Sequence, residues 1–224
     1  MMAKRGPKPK KIIDTKWSPY LAYAIGLIAA DGYLAKNSYL IDLTSNDRDQ
    51  LENYRRCLNI DVLIGKKSSG NGRISFRVQL KNLLFYNFLL KVGLSNAKSK
   101  TLGPLKIPRK YFYDFLRGIF DGDGCTYSYW DKRWKSSFMF YLSFASASPK
   151  FIEWLQASLF TLSKVKGHVT RAGGESTYYQ LKYAKAEGAK ILRKMYYNKD
   201  VICLERKRLK INKMLDIVGQ QLPV

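Results

Sequence analysis

Two stretches decide how this chain folds: YAIGLIAADGYL at residues 23–34 and DFLRGIFDGDGCTY at residues 114–127. Each is an apolar run with helical spacing, each contains an internal glycine, and each includes an Asp-Gly pair towards its end. The aspartates of those pairs, Asp31 and Asp123, lie 92 residues apart. A pattern that recurs at the length of a small domain indicates an internal duplication.

The duplication extends beyond the two motifs. After each motif come an alternating run, a helical stretch, two further alternating runs joined by a glycine-containing turn, and a closing helix. The turn glycines are Gly70 and Gly72 in the first half and Gly173 and Gly174 in the second. Each half therefore predicts helix, two strands, helix, two strands, helix. We predict an α+β fold of two pseudo-symmetric αββαββα repeats, each with a four-stranded antiparallel sheet.

Proline, glycine and charge divide the chain into segments. We predict a basic N-terminal arm at 1–16, a first repeat at 17–95, a linker at 96–108 and a second repeat at 109–224. Two helix starts are indicated by Ser18 before Pro19 and by Ser148 before Pro149. In each pair the serine hydroxyl can cap the helix and the proline suits its first turn.

The charge of the chain indicates its partner. Forty Lys and Arg face 17 Asp and Glu among 224 residues, which gives a net charge of +23. A polyanion, above all double-stranded DNA, is the natural partner of so basic a surface. A membrane surface is the alternative, but it would require a basic amphipathic helix, and the basic residues here are spread along the chain. No apolar run reaches the roughly 20 residues of a membrane span.

The cysteines indicate the compartment. There are three, Cys57, Cys125 and Cys203, far apart and odd in number, so neither a disulfide framework nor a zinc site is expected. The N-terminal residues are basic but lack the apolar core of a secretory signal. We therefore expect an intracellular protein that works on DNA, in either a prokaryotic cytoplasm or an organelle.

Two alternating strands supply candidate DNA contacts. In RISFRVQL (73–80) and STYYQLKY (176–183), apolar side chains alternate with polar ones, so one face suits a core and the other could read base edges. An ordinary half-exposed sheet is the alternative for either strand alone, and two matching strands in a basic chain favour DNA. The candidate DNA-binding residues are Lys66, Lys67, Arg73, Ser75, Arg77, Gln79, Tyr178, Gln180 and Lys182.

Small residues predict how the halves pack. They lie one helical turn apart at Ala22, Gly26 and Ala30 in the first motif and at Gly118 and Gly122 in the second. Small residues allow two helix backbones to approach closely. Packing through these stripes would relate the halves by a pseudo-twofold axis and bring Asp31 and Asp123 side by side.

Two carboxylates at two helix C-termini repel each other unless a cation enters. Oxygen ligands suit magnesium better than zinc, and a bound magnesium ion can activate water for phosphodiester hydrolysis. A simple helix stop is the alternative reading of one Asp-Gly pair. That alternative weakens because the pair follows a similar small-residue helix in both halves.

The motif residues AIGLIAADG (24–32) and LRGIFDGDG (116–124) resemble those of the LAGLIDADG homing endonucleases in their two-repeat, single-chain form. The resemblance covers nearly the whole chain from Trp17. It implies a saddle of two sheets packed through the motif helices on DNA, and Mg²⁺-dependent double-strand cleavage of a long, asymmetric target site by a monomer. We expect Ca²⁺ to support binding without cleavage.

The resemblance also implies site residues. The metal-binding acid of each motif corresponds to Asp31 and Asp123. The sixth motif position, variable and mostly structural in the family, is Ala29 in one copy and Asp121 in the other. Basic residues near the scissile phosphates follow the last helix of each repeat. The candidates are Lys98 and Lys207, with Lys100 and Arg206 as near alternatives.

Two other functions remain open on the same fold: an RNA-binding intron maturase and a DNA-binding regulator that does not cleave. The presence of both motif acids favours a nuclease. His168 is the single histidine, and we expect it to be a DNA-facing or turn residue rather than a catalyst. The basic arm could enter a minor groove or remain a basic tail.

Overall fold

The computed structural model describes residues 10–68, 72, 74–134, 137–173 and 177–223. Most of the predicted basic arm, Gly70, Arg73 and Gly174 lie outside the described residues. The first repeat consists of α1 (Pro19–Asp31), β1 (Gly32–Leu34), β2 (Leu40–Ser45), α2 (Arg48–Leu58), β3 (Ile64–Ser68), β4 (Ile74–Lys81) and α3 (Leu83–Val92).

The second repeat follows the same order, so the predicted αββαββα repeats are confirmed. It begins with a 3-10 turn (Arg109–Tyr111) and consists of α4 (Phe112–Asp123), β5 (Gly124–Trp130), β6 (Phe138–Ser146), α5 (Pro149–Ser163), β7 (His168–Ala172), β8 (Tyr178–Ala184) and α6 (Lys185–Met195). A further helix, α7 (Glu205–Asp216), was not predicted. It forms because Ile211, Met214 and Leu215 lie at helical spacing and are buried.

Each repeat forms one four-stranded antiparallel sheet. The strand orders are β1-β2-β4-β3 and β5-β6-β8-β7, so the two sheets have the same topology. The inner faces contribute buried side chains such as Leu43, Val78, Phe144 and Leu181 to the core. Ile74, which the alternation assigned to the core face, is 60% exposed because it lies at the end of β4 beside the hairpin turn.

The two sheets are joined through α1 and α4, which pack with their backbones nearly in contact. A Cβ atom at Gly26 would lie 2.2 Å from the Phe115 carbonyl oxygen, and one at Gly118 would lie 2.2 Å from the Tyr23 carbonyl oxygen. At Gly122 it would lie 2.4 Å from the Ala30 Cβ. The small-residue stripes therefore have the predicted role. Residues 21–29 of α1 are all buried, so this helix lies inside the core.

The two predicted serine caps differ. Ser18 Oγ accepts a hydrogen bond from the Leu21 backbone N–H at 3.1 Å, as predicted. The predicted helix start at Ser148 is confirmed, but its predicted capping hydrogen bond is wrong, because the buried hydroxyl donates to the Leu102 carbonyl oxygen instead. The hydroxyl thereby satisfies an acceptor in the linker and ties the linker to the second repeat.

The segment that follows each closing helix crosses to the other repeat. After α3, Leu102 binds Ser148 at the start of α5. After α6, the Cys203 carbonyl oxygen accepts a hydrogen bond from Asn53 Nδ2 of α2 at 2.8 Å. We call these two segments the exchanged segments, residues 96–108 and 196–216. Among the described residues, no helix is long and apolar enough to span a membrane.

Candidate active site

The two motif acids lie where a helix passes directly into a strand. α1 ends at Asp31 and β1 begins at Gly32, while α4 ends at Asp123 and β5 begins at Gly124. A Cβ atom at Gly32 would lie 2.6 Å from the Ile28 carbonyl oxygen, and one at Gly124 would lie 2.7 Å from that of Phe120. The glycine after each acid is required because the strand starts against the last helical turn.

Asp31 is held in place by a glutamine. Its Oδ2 accepts a hydrogen bond from Gln50 Nε2 of α2 at 2.8 Å. It also lies close to Gly122 of the other repeat, where a Cβ atom would be 2.9 Å away. Burial raises the pKa of Asp31, and Gln50, Lys98 and Lys207 partly offset that rise.

Asp123 lines an open depression, and the surrounding protein removes part of the water that would otherwise hydrate its carboxyl group. Burial and then the nearby charge of Asp31 raise the pKa of Asp123 to about 6, against the opposing effect of Lys98 and Lys207. Asp31 lies beside Gly122, the residue before Asp123, so the two carboxyl groups are close enough to interact electrostatically. The structure thus brings the two predicted metal-binding residues together.

The two predicted lysines lie at the same ends of the two motif helices. Lys98 is 6% exposed, and its Nζ lies 3.4 Å from the Ala30 carbonyl oxygen at the end of α1. Burial lowers the pKa of Lys98 to about 8, although Asp123 and Asp31 favour its charged form.

Lys207 lies in the first turn of α7 and contacts the end of α4. Its Nζ donates to the carbonyl oxygens of Phe120, Asp121 and Gly124 at 2.6, 2.9 and 2.8 Å. Burial lowers the pKa of Lys207, and Asp121 opposes that change. The ammonium group satisfies carbonyls that would otherwise be unpaired at a helix terminus.

The near alternatives lie in different surroundings. Lys100 is exposed in the linker. Arg206 pairs with Asp47 at 2.5 Å and keeps 64% of its side chain exposed. Lys98 and Lys207, rather than Lys100 and Arg206, affect the pKa values of both acids, while Arg206 lines the groove beside Asp31.

The residues at this site fit a hard divalent cation. The carboxyl groups of Asp31 and Asp123 are oxygen donors, which suit Mg²⁺ or Ca²⁺. In the part of the chain that the structure describes, no group of three or more His, Cys, Asp and Glu side chains is placed to hold a metal. A cation here would take its carboxylate ligands from the two motif acids and its remaining oxygen ligands from other groups or from water.

The surroundings of the two acids are not equivalent. The groove beside Asp31 is lined by polar residues of the β2–α2 connection, including Ser45, Asn46 and Gln50. The depression beside Asp123 is lined by Ala145, Ser146 and Ala147 from the matching connection. Pseudo-symmetry therefore holds for the acids and lysines but not for the groups that contact them.

Asp121, the sixth residue of the second motif, has structural contacts. Its Oδ2 accepts hydrogen bonds from the Tyr23 hydroxyl at 2.7 Å and from the Leu204 backbone N–H at 2.8 Å. It is 1% exposed, and burial raises its pKa to about 6. Asp121 thus links α1, α4 and the start of α7, while the first motif has Ala29 at this position.

The outer face of the first sheet carries most of its predicted DNA-binding residues. Gln79 pairs with Asp42, Arg77 with Thr44, and Lys67 with Ser75 across neighbouring strands, so all of these side chains share one face. Lys66 pairs with Phe76 and lies on the opposite face, which departs from the prediction. The reason is the strict alternation of a strand, which cannot direct both Lys66 and Lys67 to one side.

The outer face of the second sheet differs in chemistry. Tyr178, Gln180 and Lys182 share it with His168, which pairs with Lys182. Residues that sequence reasoning missed continue this face, namely the stacked rings of Tyr127, Tyr129 and Tyr141. The alternation in CTYSYW (125–130) was the available signal for the first two.

Comparison with known proteins identifies the fold class. Residues 113–196 match the family model described as LAGLIDADG-like domain. The chain has the two-repeat fold of the single-chain LAGLIDADG homing endonucleases, as its motifs predicted. No curated protein sequence matches the chain.

Particular solved structures share this fold at low sequence identity. Homing endonuclease I-WcaI bound to its DNA recognition sequence has a TM-score of 0.57 and 15% identity, over 93% of this chain and 95% of that chain. I-DmoI in complex with DNA and Ca has a TM-score of 0.52 and 16% identity, over 81% and 91%. I-DmoI variants have also been solved with target DNA in the presence of Mn or Mg. Full-length DUF199/WhiA from Thermatoga maritima has a TM-score of 0.55 and 12% identity, over 93% and 63%.

The stability of the metal-free protein should depend on pH through Asp123. Its pKa of about 6 in the folded chain exceeds the ordinary value of 3.8, so the folded state holds this proton more tightly. Protonation of Asp123 therefore stabilises the folded state fully below about pH 4, and this stabilisation is lost as the pH rises through 6. With a chelator present, Asp123→Asn should unfold at a higher temperature than the wild type at pH 7. The difference in unfolding temperature between the two proteins should be smaller at pH 5. A difference in unfolding temperature that does not change with pH would contradict the raised pKa of Asp123.

Proposed function

We propose that this protein is a site-specific homing endonuclease that makes a metal-dependent double-strand break in a long DNA target. The observation that carries the proposal is the meeting of Asp31 and Asp123 at the ends of two packed helices, with Lys98 and Lys207 beside them. Two sheets with polar outer faces flank this centre. The arrangement suits a duplex lying across both sheets with its phosphates at the centre.

The chemistry follows from the groups at the centre. Mg²⁺ held by Asp31 and Asp123 would supply an activated water and stabilise the leaving oxygen. Gln50 orients the Asp31 carboxylate towards the shared site. Lys98, with a pKa of about 8, can hold or release a proton close to neutral pH. Lys207 offsets the negative end of the α4 dipole beside the acids.

Divalent metal use is supported by the donor chemistry and by the relatives. I-DmoI has been solved with DNA and Ca, and its variants with Mn or Mg. Magnesium is the proposed cofactor for cutting. Calcium should permit binding without cutting because its larger and looser ligand shell positions the attacking water poorly.

An asymmetric target is supported by the difference between the outer faces. The first carries charged and amide groups, including Lys67, Arg77 and Gln79. The second combines tyrosines with Gln180 and Lys182. Two unlike faces would read two unlike half-sites, so a palindromic target is not expected.

The free protein should be a monomer. Both halves of the helix interface come from one chain through Gly26 and Gly118, so a second copy is not needed to complete the site. Light scattering at micromolar concentration measures this. A stable dimer would count against the proposal.

DNA binding should weaken steeply with salt. A protein that neutralises many phosphates releases counterions, and log affinity falls against log salt with a slope of about −0.9 per phosphate contact. For a chain of net charge +23, we expect a slope steeper than about −5. Gel shifts at several salt concentrations measure it. A shallow slope would mean that the charge serves another partner.

Selection of cleavable sites from a randomised DNA library with Mg²⁺ is the experiment that tests the proposed function. A single enriched long site with both strands cut would support it. The fold is shared with DUF199/WhiA as well as with endonucleases, so the fold by itself is not evidence that this protein cleaves DNA. Enrichment by binding without cutting would favour the non-cleaving regulator, and preference for a folded RNA would favour a maturase.

A further inference from the structure

An acidic side chain lies on the sheet face proposed to contact DNA. Asp42 occupies the middle of β2, paired with Tyr33 of β1 on one side and with Gln79 of β4 on the other. It is 8% exposed. Its negative charge opposes phosphate binding, so electrostatic attraction to DNA does not account for its presence on this face.

The contacts of Asp42 give it a different role. Its Oδ2 accepts a hydrogen bond from Gln79 Nε2 at 2.8 Å. Its Oδ1 accepts one from the Thr44 hydroxyl at 3.0 Å. Arg77 Nη1 lies 4.0 Å from Oδ2. The carboxylate therefore gathers three polar side chains of the outer face, and its closest charge-assisted partner is the Gln79 amide.

The direction of the Gln79 amide is dictated by this contact. A carboxylate accepts hydrogen bonds and donates none, so the amide must turn its nitrogen, not its oxygen, towards Asp42. Within the described residues, Gln79 makes no other side-chain hydrogen bond. Its Oε1 and its second N–H therefore remain as one acceptor and one donor for another partner.

We propose that Asp42 is a positioning residue that sets base preference by holding Gln79 ready to read an adenine in the major groove. Adenine presents an N6 amino donor and an N7 acceptor there, which match the free oxygen and the free N–H of a glutamine amide. The inference rests on the proposed function, because it requires that this face meet duplex DNA. It adds Asp42, which the sequence did not indicate, to the groups that determine specificity.

The test is binding selection from a randomised DNA library in Ca²⁺ with four proteins: wild type, Gln79→Ala, Asp42→Asn and Asp61→Asn. Gln79→Ala should identify the position that Gln79 reads by losing a preference for adenine there. Asp42→Asn should weaken adenine preference at that same position by roughly 5- to 150-fold, because asparagine can also donate and lets the Gln79 amide reverse. Asp61→Asn is the matched control, since Asp61 is fully exposed and pairs with Arg55 away from this face.

A double variant separates the effect on base preference from any loss of protein stability, because it predicts a new preferred base and not only a weaker one. In Asp42→Asn/Gln79→Glu, the asparagine can donate to the glutamate, and a carboxylate at position 79 would accept from cytosine N4. The selected base should change from adenine to cytosine. An unchanged profile in Asp42→Asn, or no change of base in the double exchange, would overturn the inference. If the wild type selects no sequence at all, the proposed function fails first.

Discussion

Asp31→Asn and Asp123→Asn should each reduce DNA cleavage by about 100-fold or more while DNA binding stays equal or becomes tighter. Asparagine keeps the shape and one oxygen ligand but removes the charge that holds the cation. It also removes negative charge from a surface that faces phosphates. Cleavage assays and gel shifts on one selected target, with Mg²⁺ or Ca²⁺, measure both properties.

The two acids should not act independently. They share one centre, so the double variant should lose little beyond either single variant. Asp61→Asn provides the control because it changes net charge equally at a fully exposed side chain. If either motif variant cuts at the wild-type rate, that aspartate only ends its helix.

Gly26→Ala should destabilise the protein by about 2 kcal/mol or more, which corresponds to a fall of roughly 4–8 °C in Tm. The new Cβ would lie 2.2 Å from the Phe115 carbonyl oxygen, and backbone cannot yield as a side chain can. In an exposed helix the same change would stabilise the helix by about 1 kcal/mol, so the sign of the effect isolates the packing.

The control for this variant is Gly103→Ala. A Cβ atom at Gly103 would have no atom within 4 Å, so its Tm should remain close to that of the wild type. Thermal unfolding of both variants provides the comparison. Equal stability of Gly26→Ala and the wild type would mean that the two helices separate more easily than their contact implies.

The fold and its central acids could be predicted because the signals are local and occur twice. Gly26 and Gly118 indicate a close helix contact, and Asp31 and Asp123 follow them at the same spacing. Duplication thus converted a weak pattern into a strong one.

Other features could not be predicted because they depend on tertiary register. Gln50 is the third residue of α2, but the matching position of α5 is Phe151, so the repeat gave no signal for it. The hydroxyl of Ser148 donates to a linker carbonyl oxygen instead of capping α5, and the sequence does not show that this carbonyl lies beside it. The face on which Lys66 lies is known only from the pairing of β3 with β4. The proposed role of Asp42 depends on its position beside Gln79.

The exchanged segments determine when during synthesis the proposed catalytic centre can be complete. A ribosome that has made residues 1–196 has produced both acids, Lys98 and both sheets. The Lys207 ammonium group that satisfies the end of α4 comes later, on α7. The Leu204 amide that binds Asp121 also comes later. A nascent or prematurely terminated chain therefore has the proposed DNA-reading surfaces before the groups around the two acids are complete.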